Sequence, residues 1–547
     1  MSLQPHEFHD VPEETTRVAR AAFPKGNIYL QMQDELGALY TDQDFATLFP
    51  AKGQPAETPW RLALVLVMQF IENLTDRQAA DAVRGRIDWK YALGLELSDP
   101  GFDYSILSEF RARLIQGQVE AILLDRILER FQVRGWLKAG GKQRTDSTHV
   151  LAAIHGLNRL ELVGRTLQAV LEELAKQAPE WLKAQITPDW FDRYSRAIDE
   201  YRLPKKETER KVLAERIGQD GQYLLAQLDV SAPHPELGKL AMIQSMRTVW
   251  EQQFESINGQ LHWRDRDALP PSGERIASPF DPEARFSIKR EVSWVGYKVH
   301  LTETCDESQP HVITHVETVQ ATEADIQAVD AIHQDLAQKG LLPGEHVVDT
   351  GYGSGESISV SQTHYGVDLY GPVHTDTAWQ ARTENAFDLT HFEVDWENQQ
   401  VRCPAGQTSR TWTTKTYRGH PTTFVRFSPT DCDPCSLRAR CTRSKLGARE
   451  VTLLPKEAYL ALEMARQRQK THDFVQRYAA RAGIEGTISQ AVGTLDLRRS
   501  RYIGLAKTHL QHILTAAALN ILRGVAWINE VPLALTRKSY FTALADV

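Results

Sequence analysis

The chain has 547 residues, 42% of them hydrophobic and 24% charged, which is ordinary for a globular protein. The formal net charge of −8 excludes attraction of nucleic acid to the whole surface, although a local positive field would still allow DNA binding. Five cysteines in so long a chain do not form a disulfide framework, and the best apolar run, 62–71, is too short to span a bilayer. No signal peptide is visible, so we expect a cytoplasmic protein of roughly two to four domains without a membrane partner.

Residues 1–138 are predicted to be helical. Pro59 begins an apolar helix that continues to about residue 70, and Thr75 is a plausible N-cap of the next helix. Ser105 opens a further helix. Several short helices in this order suit a DNA-binding head, whereas composition alone favours a plain helical bundle.

The pattern changes after Gly140-Gly141. Residues 142–149 are predicted to form a short strand, and residues from 150 to about 263 are strongly helical because apolar side chains recur at helical spacing from Leu157 to Leu174. A proline-rich linker follows near 270–279. The sequence therefore predicts a helical insertion, 150–290, within a domain that begins near residue 139.

Strands resume after this insertion. The order of strand, strand, helix and strand is typical of a mixed α/β sheet. The predicted strands are 294–303, 311–319, a strand that ends at Asp349, and 367–371, with a helix at 323–339. Residues 375–455 are rich in threonine, arginine and turn residues and predict an inserted β subdomain. The chain is helical again from 456 and ends in a long helix at about 504–527.

Three acidic residues are candidates for one site. Asp146 and Asp349 are predicted at strand ends, and Glu485 lies on a late helix. Two divalent cations about 4 Å apart can assist phosphoryl transfer, and Mg²⁺ prefers oxygen ligands. Each residue alone has a simpler reading, as a turn or capping residue for the aspartates and as a solvated helix residue for the glutamate. Their combination predicts metal-dependent phosphodiester chemistry.

The helix around Glu485 carries two further signals. Tyr478 and Arg481 precede Glu485 at a spacing that places all three on one helix face. Gly483 and Gly486 flank Glu485, and each costs about 1 kcal/mol relative to alanine inside a helix. Such a cost predicts that DNA or a neighbouring strand approaches the backbone closely.

Four of the five cysteines cluster late in the chain. Cys432 and Cys435 have the two-residue spacing of a structural zinc site, whereas Cys403 stands alone and Cys441 follows at a looser spacing. Zinc binding and a set of reduced cysteines in a small β subdomain both stay open.

These motifs resemble those of insertion-sequence transposases with a DDE triad on an RNase H-like core. The segments that carry the resemblance are 103–114, 145–148, 281–285, 296–300, 348–353, 478–485 and 499–507. One position departs from the pattern: Val492 stands where many relatives have a lysine. The contact that this lysine makes with the transposon end is either lost here or supplied by another residue, such as Arg498 or Lys507.

The resemblance implies an α/β fold. An RNase H-like mixed sheet would occupy 139–374 and 456–547, with the helical N-terminal domain at 1–138, the helical insertion at 150–290 and the small cysteine-rich β insertion at 375–455.

The resemblance also implies the site and its partners. Asp146, Asp349 and Glu485 would be catalytic and hold Mg²⁺ or Mn²⁺, with Tyr478 and Arg481 in support. The protein would act on double-stranded DNA at transposon ends and target, as a homodimer or larger assembly, in the cytoplasm of a bacterium. The residues expected to contact DNA are Lys298, Arg498, Arg499, Arg501, Tyr502 and Lys507, and the window 477–510, with six Lys or Arg against two acids, is locally positive. A domesticated DNA-binding protein and a stand-alone metal-dependent nuclease on the same fold are the alternatives.

Overall fold

The computed structural model describes residues 2–3, 10–50, 52–154, 156–230, 235–289, 291–444 and 447–532. Over these residues the protein is mixed α/β, as the sequence predicts. The end of the last predicted segment, 533–547, lies outside the described residues.

The N-terminal region is helical. Its helices are α1 (Glu13–Ala22), α2 (Ile28–Leu36), α3 (Pro59–Ile71), α4 (Asp76–Gly85), α5 (Ile87–Ala92), α6 (Ser105–Gly117) and α7 (Ile122–Val133). Pro59 occupies the first position of α3, and Thr75 and Gln78 form a capping box at the start of α4. Nearly every side chain of α3 is buried.

A central mixed sheet follows. In chain-order numbering its strands are β1 (Lys142–Leu151), β4 (Arg285–Lys289), β5 (Val292–Thr304), β6 (Ile313–Gln320), β7 (Glu345–Val347) and β8 (Asp368–Tyr370). The strand order is β6-β5-β1-β7-β8, and β4 pairs with the first part of β5, whose remainder pairs with β6. β5 runs antiparallel to β1, β4 and β6, whereas β7 is parallel to β1 and to β8. This sheet is consistent with an RNase H-like core.

Two details of the core, one in the sheet and one in a helix, differ from the prediction. Pairing of β1 with β5 continues to Leu151, opposite Gly296, so Asp146 lies inside β1 rather than at its end. The helix predicted at 323–339 is shorter, because a 3-10 turn at Asp325–Gln327 precedes α13.

Helices cover the sheet, and the last of them, α20 (Leu505–Ile528), connects it to the N-terminal region. α20 packs against β6, α3 and α7. One apolar cluster accordingly includes Phe70 of α3, Phe131 of α7, Val299 of β5 and Leu514 of α20. The helices of the core are α13 (Ala328–Gln338), α14 (Gly355–Tyr365), α17 (Lys456–Arg468), α18 (His472–Tyr478), α19 (Ala482–Leu495) and α20 (Leu505–Ile528).

The insertion between β1 and β4 has its own core, which includes Leu167, Ile217 and Met246. Its elements are α8 (Arg159–Gln177), α9 (Pro179–Gln185), α10 (Pro188–Tyr194), α11 (Glu207–Val230), α12 (Ala241–Gln253), β2 (Phe254–Ile257) and β3 (Gln260–Trp263). The β2–β3 hairpin contradicts the prediction of helix to about residue 263. The signal that was missed is Asn258-Gly259, an Asn-Gly pair with positive φ at both residues, which is typical of a hairpin turn.

Residues 393–453 contain the short strands of the predicted β subdomain. Its small core includes Phe392, Val425 and Phe427. The elements are β9 (Glu393–Asp395), β10 (Gln400–Arg402), β11 (Thr411–Tyr417), β12 (His420–Arg426), α15 (Pro429–Cys432), α16 (Arg438–Cys441) and β13 (Glu450–Leu453). Within the described ranges, no helix has the length and apolar character required to cross a membrane.

Candidate active site

One guanidinium joins two of the three predicted acids. Nη2 of Arg481 donates to Oδ2 of Asp146 at 2.7 Å, and Nη1 donates to Oε1 of Glu485, also at 2.7 Å. The side chain of Asp146 is 12% exposed and that of Glu485 is 65% exposed. The structure therefore places β1 and α19 side by side, with the carboxylates of Asp146 and Glu485 both bonded to the Arg481 guanidinium. The Asp146 carboxylate is buried and the Glu485 carboxylate faces solvent.

Asp349 lies just after β7, the strand next to β1. Its Oδ1 accepts the backbone N–H of Gly351 at 2.8 Å, so the turn expected as the simpler reading is formed. The pKa of Asp146 is raised, mainly by burial and also by the negative charge of Asp349, while the positive charge of Arg481 opposes the rise. Asp349 is thus electrostatically coupled to Asp146.

Tyr478 lies beside these acids, but not on one continuous helix with Glu485. α18 ends at Tyr478, a 3-10 turn spans Ala479–Arg481, and α19 begins at Ala482, so the prediction of a single helix face is wrong in this respect. The Tyr478 ring stacks on Phe474 with an interplanar angle of 10°. Burial raises the pKa of Tyr478, and the nearby carboxylates, Asp349 first among them, raise it further.

A buried ionic cluster holds α19 against the sheet. Glu303 of β5 is fully buried and accepts from Arg144 Nε at 2.7 Å, Arg523 Nη1 at 2.7 Å and Thr487 Oγ1 at 2.6 Å. Arg144 also donates to the carbonyl oxygen of Ala480 at 2.6 Å. We call Arg144, Glu303, Thr487 and Arg523 the buried clamp.

Sequence reasoning missed the clamp. Burial pushes the pKa of Glu303 upward, yet it lies below its usual range because Arg523 and Arg144 stabilise the carboxylate. Two signals were available: Arg144 stands two positions before Asp146 and so shares its strand face, and Glu303 is a charge in a predicted strand.

Two further segments that carry the resemblance, 281–285 and 296–300, lie at the start of α20. Asp281 is fully buried and accepts from the Tyr297 hydroxyl at 2.6 Å and from the Gly504 N–H at 3.3 Å. Glu283 accepts the N–H of Leu505, the first residue of α20, at 2.9 Å, where a negative charge stabilises a helix N-terminus. Segments 281–285 and 296–300 therefore fix the start of this helix.

The predicted DNA-contacting residues separate into two groups. Lys298 bonds to Asp325 at 2.7 Å, and Arg498 donates to the Thr148 hydroxyl at 2.8 Å. The inward-facing set is Lys298, Arg498, Arg501 and Tyr502, and the exposed set is Arg499 and Lys507.

Arg501 and Tyr502 pack on the N-terminal helices. Arg501 lies 4.4 Å above the centre of the Phe70 ring, and the guanidinium of Arg111 lies 5.2 Å from the centre of the Tyr502 ring. Val492, at the position of the absent lysine, packs against the main core. Arg499 and Lys507 are thus the members of the predicted set that face solvent, and Arg499 does so with its Nε 3.9 Å from Oδ1 of Asp496, in an exposed ion pair.

The donor chemistry of the three acids fits a hard cation. Oxygen ligands suit Mg²⁺ or Mn²⁺, and the effect of Asp349 on Asp146 is a repulsion that a cation would relieve. In the described part of the chain, however, no group of three or more His, Cys, Asp or Glu side chains stands in a metal-binding arrangement. Arg481 holds two of the three carboxylates instead.

Two family models match the chain. A transposase DDE domain matches residues 402–524, which include Glu485 and most of α20, and a transposase domain (DUF772) matches residues 17–113 in the N-terminal helices. No curated protein and no solved structure matches. The two matches indicate an insertion-sequence DDE transposase and confirm the resemblance found in the sequence.

Proposed function

We propose that this DDE transposase binds the terminal inverted repeats of its element and cleaves and joins DNA strands at Asp146, Asp349 and Glu485. The observation that carries the proposal is the pair of bonds from Arg481 to Asp146 and Glu485, which assembles acids that lie far apart in the sequence. Asp349 follows the adjacent parallel strand and is coupled to Asp146 by charge.

The sheet supports this reading. Three antiparallel strands, β6, β5 and β1, continue into the parallel strands β7 and β8, with one acid inside the central strand and one just after its neighbour. This order favours an RNase H-like core.

The three carboxylates would hold Mg²⁺ or Mn²⁺, which when bound makes the attacking oxygen more acidic and stabilises the leaving oxygen. The protein's own part is positioning. The buried clamp fixes the backbone at Ala480, next to Arg481, and Arg481 keeps Asp146 and Glu485 in place before a cation arrives.

DNA would reach the site along the segment that joins α19 to α20. Leu151, at the end of β1, donates its N–H to the carbonyl of Arg498 at 2.7 Å, and Ser500 donates to the carbonyl of Leu151 at 2.9 Å. Arg499 therefore projects from a segment hydrogen-bonded to the strand that carries Asp146. Paired transposon ends would require a homodimer or larger assembly.

Asp349→Asn tests the proposal. An amide is a poor ligand for Mg²⁺, so we expect cleavage and strand transfer of an end fragment to fall by at least about 100-fold, while its gel-shift affinity is unchanged. The control is Asp192→Asn, a change at an exposed acid of α10 in the insertion, away from the three acids.

The same assays separate the alternatives. Cleavage retained by Asp349→Asn would reject its catalytic role. A wild-type protein that hydrolyses DNA without joining it would be a metal-dependent nuclease, and one that binds ends without cutting would be a domesticated DNA-binding protein.

A further inference from the structure

Three separate segments bring four cysteines to one place in the β subdomain. Cys403 follows β10 and begins a tight turn in which the Gly406 N–H donates to the Cys403 carbonyl at 2.8 Å, with Gly406 at a φ of +80°. Cys432 ends α15 and Cys441 ends α16. The Cys435 N–H donates to the Cys432 carbonyl at 3.3 Å, so this pair also lies on a turn.

All four cysteines line the same cavity. Each is a free thiol of intermediate burial, whereas the fifth cysteine, Cys305, is buried just after β5 in the central sheet. Sequence spacing left Cys403 isolated and Cys441 loosely placed, but the fold converges them with Cys432 and Cys435. Convergence of thiols from distant segments is what a structural metal site requires.

The charges around the cavity favour an anionic centre. Arg438 and Arg449 both line it, together with Asp431. Nε of Arg449 is buried and has no hydrogen-bond partner among the described residues. A buried N–H donor without a hydrogen-bond partner is costly, and thiolates held by a metal would place negative charge beside this guanidinium, which lies 5.5 Å from the centre of the Phe392 ring.

The subdomain has a small apolar core. Its buried members are Phe392, Val401, Val425, Phe427, Val451 and Leu453, and partly buried side chains, among them Cys403, Cys432 and Cys441, pack against these. Small units with limited cores commonly depend on a metal or on disulfides. A metal bound by the four cysteines would connect β10, which pairs with β9, to α15 and α16, which lie outside the β11–β12–β13 sheet.

We propose that Cys403, Cys432, Cys435 and Cys441 bind one structural Zn²⁺. Each thiol releases its proton to solvent as its Sγ binds the ion, and no oxidation or reduction occurs. Since the described thiols do not stand in a metal-binding arrangement, zinc binding requires these side chains to rotate on the turns that carry them. Four thiolates leave no open position, so this zinc stabilises the subdomain and takes no part in catalysis.

Metal content of the full-length protein tests the proposal independently of the proposed function. Protein purified without chelator or added metal is expected to contain about one zinc per chain by elemental analysis. After zinc is stripped, titration with Co²⁺ should give thiolate-to-cobalt absorption and the visible bands of tetrahedral cobalt. Less than about half an equivalent of zinc together with no such absorption overturns the proposal, and so does an intact mass that shows the thiols paired as disulfides.

Paired variants assign the ligands. Cys432→Ser combined with Cys435→Ser should abolish the zinc content and the cobalt spectrum, whereas Cys305→Ser should retain both. Zinc retained in full by the double variant would overturn the assignment. If the double variant fails to fold, the zinc content and cobalt spectrum of the wild type and of Cys305→Ser still decide whether the protein binds zinc and whether Cys305 is needed for it.

Discussion

The guanidinium of Arg144 occupies the space in which a side chain at Gly483 would lie. A Cβ on Gly483 would stand 2.1 Å from Nη1 of Arg144. The guanidinium is held in this position, because it donates to Glu303 and to the carbonyl of Ala480. The expected close approach to the backbone is thus made by a side chain of β1, and it seats the first turn of α19 against that strand.

Gly483→Ala should therefore be destabilising. We expect a loss of about 1–3 kcal/mol in the free energy of unfolding from overpacking, together with a fall in DNA cleavage as Glu485 shifts away from Asp146. Gly486→Ala is the matched control, since nothing lies within 4 Å of a Cβ there, and it should be neutral or stabilising by up to about 1 kcal/mol. Denaturant unfolding of both variants makes the comparison, and equal stability would contradict this account of Gly483.

Local sequence patterns were sufficient to predict the long strands and the long helix of the core. Alternation predicted β5 and β6, and apolar spacing predicted α20, because each of these elements carries apolar side chains at a regular period over many residues. The structure buries more than one face of each, since 299–304 of β5, 313–316 of β6 and 510–521 of α20 are buried in succession. The position of Asp349 after a buried strand followed from the same reasoning. These features depend on neighbours in sequence, which a single chain displays.

Contacts between side chains that lie far apart in the sequence could not be predicted from local patterns. Glu303 and Arg523 are 220 residues apart, and no local signal relates them. The break between α18 and α19 was hidden because its residues suit either helix or a 3-10 turn. Among the predicted DNA contacts, charge was visible in the sequence but the intramolecular partners of Lys298 and Arg501 were not.

The exposed basic pair leads to a prediction about DNA affinity. Arg499→Gln combined with Lys507→Gln should weaken binding to any DNA sequence and lower the salt slope by roughly one for each lost phosphate contact. The Arg499 side chain is 73% exposed, so its loss should leave thermal stability unchanged. Affinity against salt concentration is the measurement, and Lys183→Gln, at a 68% exposed side chain in the insertion, is the control. An unchanged slope and affinity would move DNA contact to another surface.

A substitution of Arg501 should lower stability and leave DNA binding unchanged, the opposite of the effect expected for Arg499 and Lys507. The Arg501 guanidinium bonds to the Asn73 side chain and the Leu74 carbonyl and packs over Phe70. Arg501→Gln should therefore reduce the free energy of unfolding by about 1–2 kcal/mol and leave the salt slope of DNA binding unchanged. Thermal unfolding and the same salt titration test this, and a reduced slope at full stability would return Arg501 to the DNA-contacting set.

A buried histidine pair predicts sensitivity to acid. His333 is fully buried, its Nε2 lies 2.8 Å from Nδ1 of His346, and Nε2 of His346 lies 2.6 Å from the Thr145 hydroxyl. Burial lowers the pKa of His333 to about 4, whereas an unfolded histidine has a pKa of about 6.5. Between these values the unfolded chain binds more protons than the folded protein, so stability falls as the pH is lowered from about 6.5 to about 4.

His333→Gln should reduce this pH dependence. Each such histidine contributes up to about 1.4 kcal/mol per pH unit inside that window, so the variant should lose less stability than the wild type between pH values of about 7.5 and about 5. The measurement is the free energy of unfolding at both pH values for the wild type, for His333→Gln and for the exposed control His364→Gln. Each protein then has a slope of the free energy of unfolding against pH. His346 remains in the variant and its pKa is also lowered by burial, so the slope should decrease without vanishing. A His333→Gln slope equal to that of the wild type would show that His333 is not the group whose protonation opposes folding.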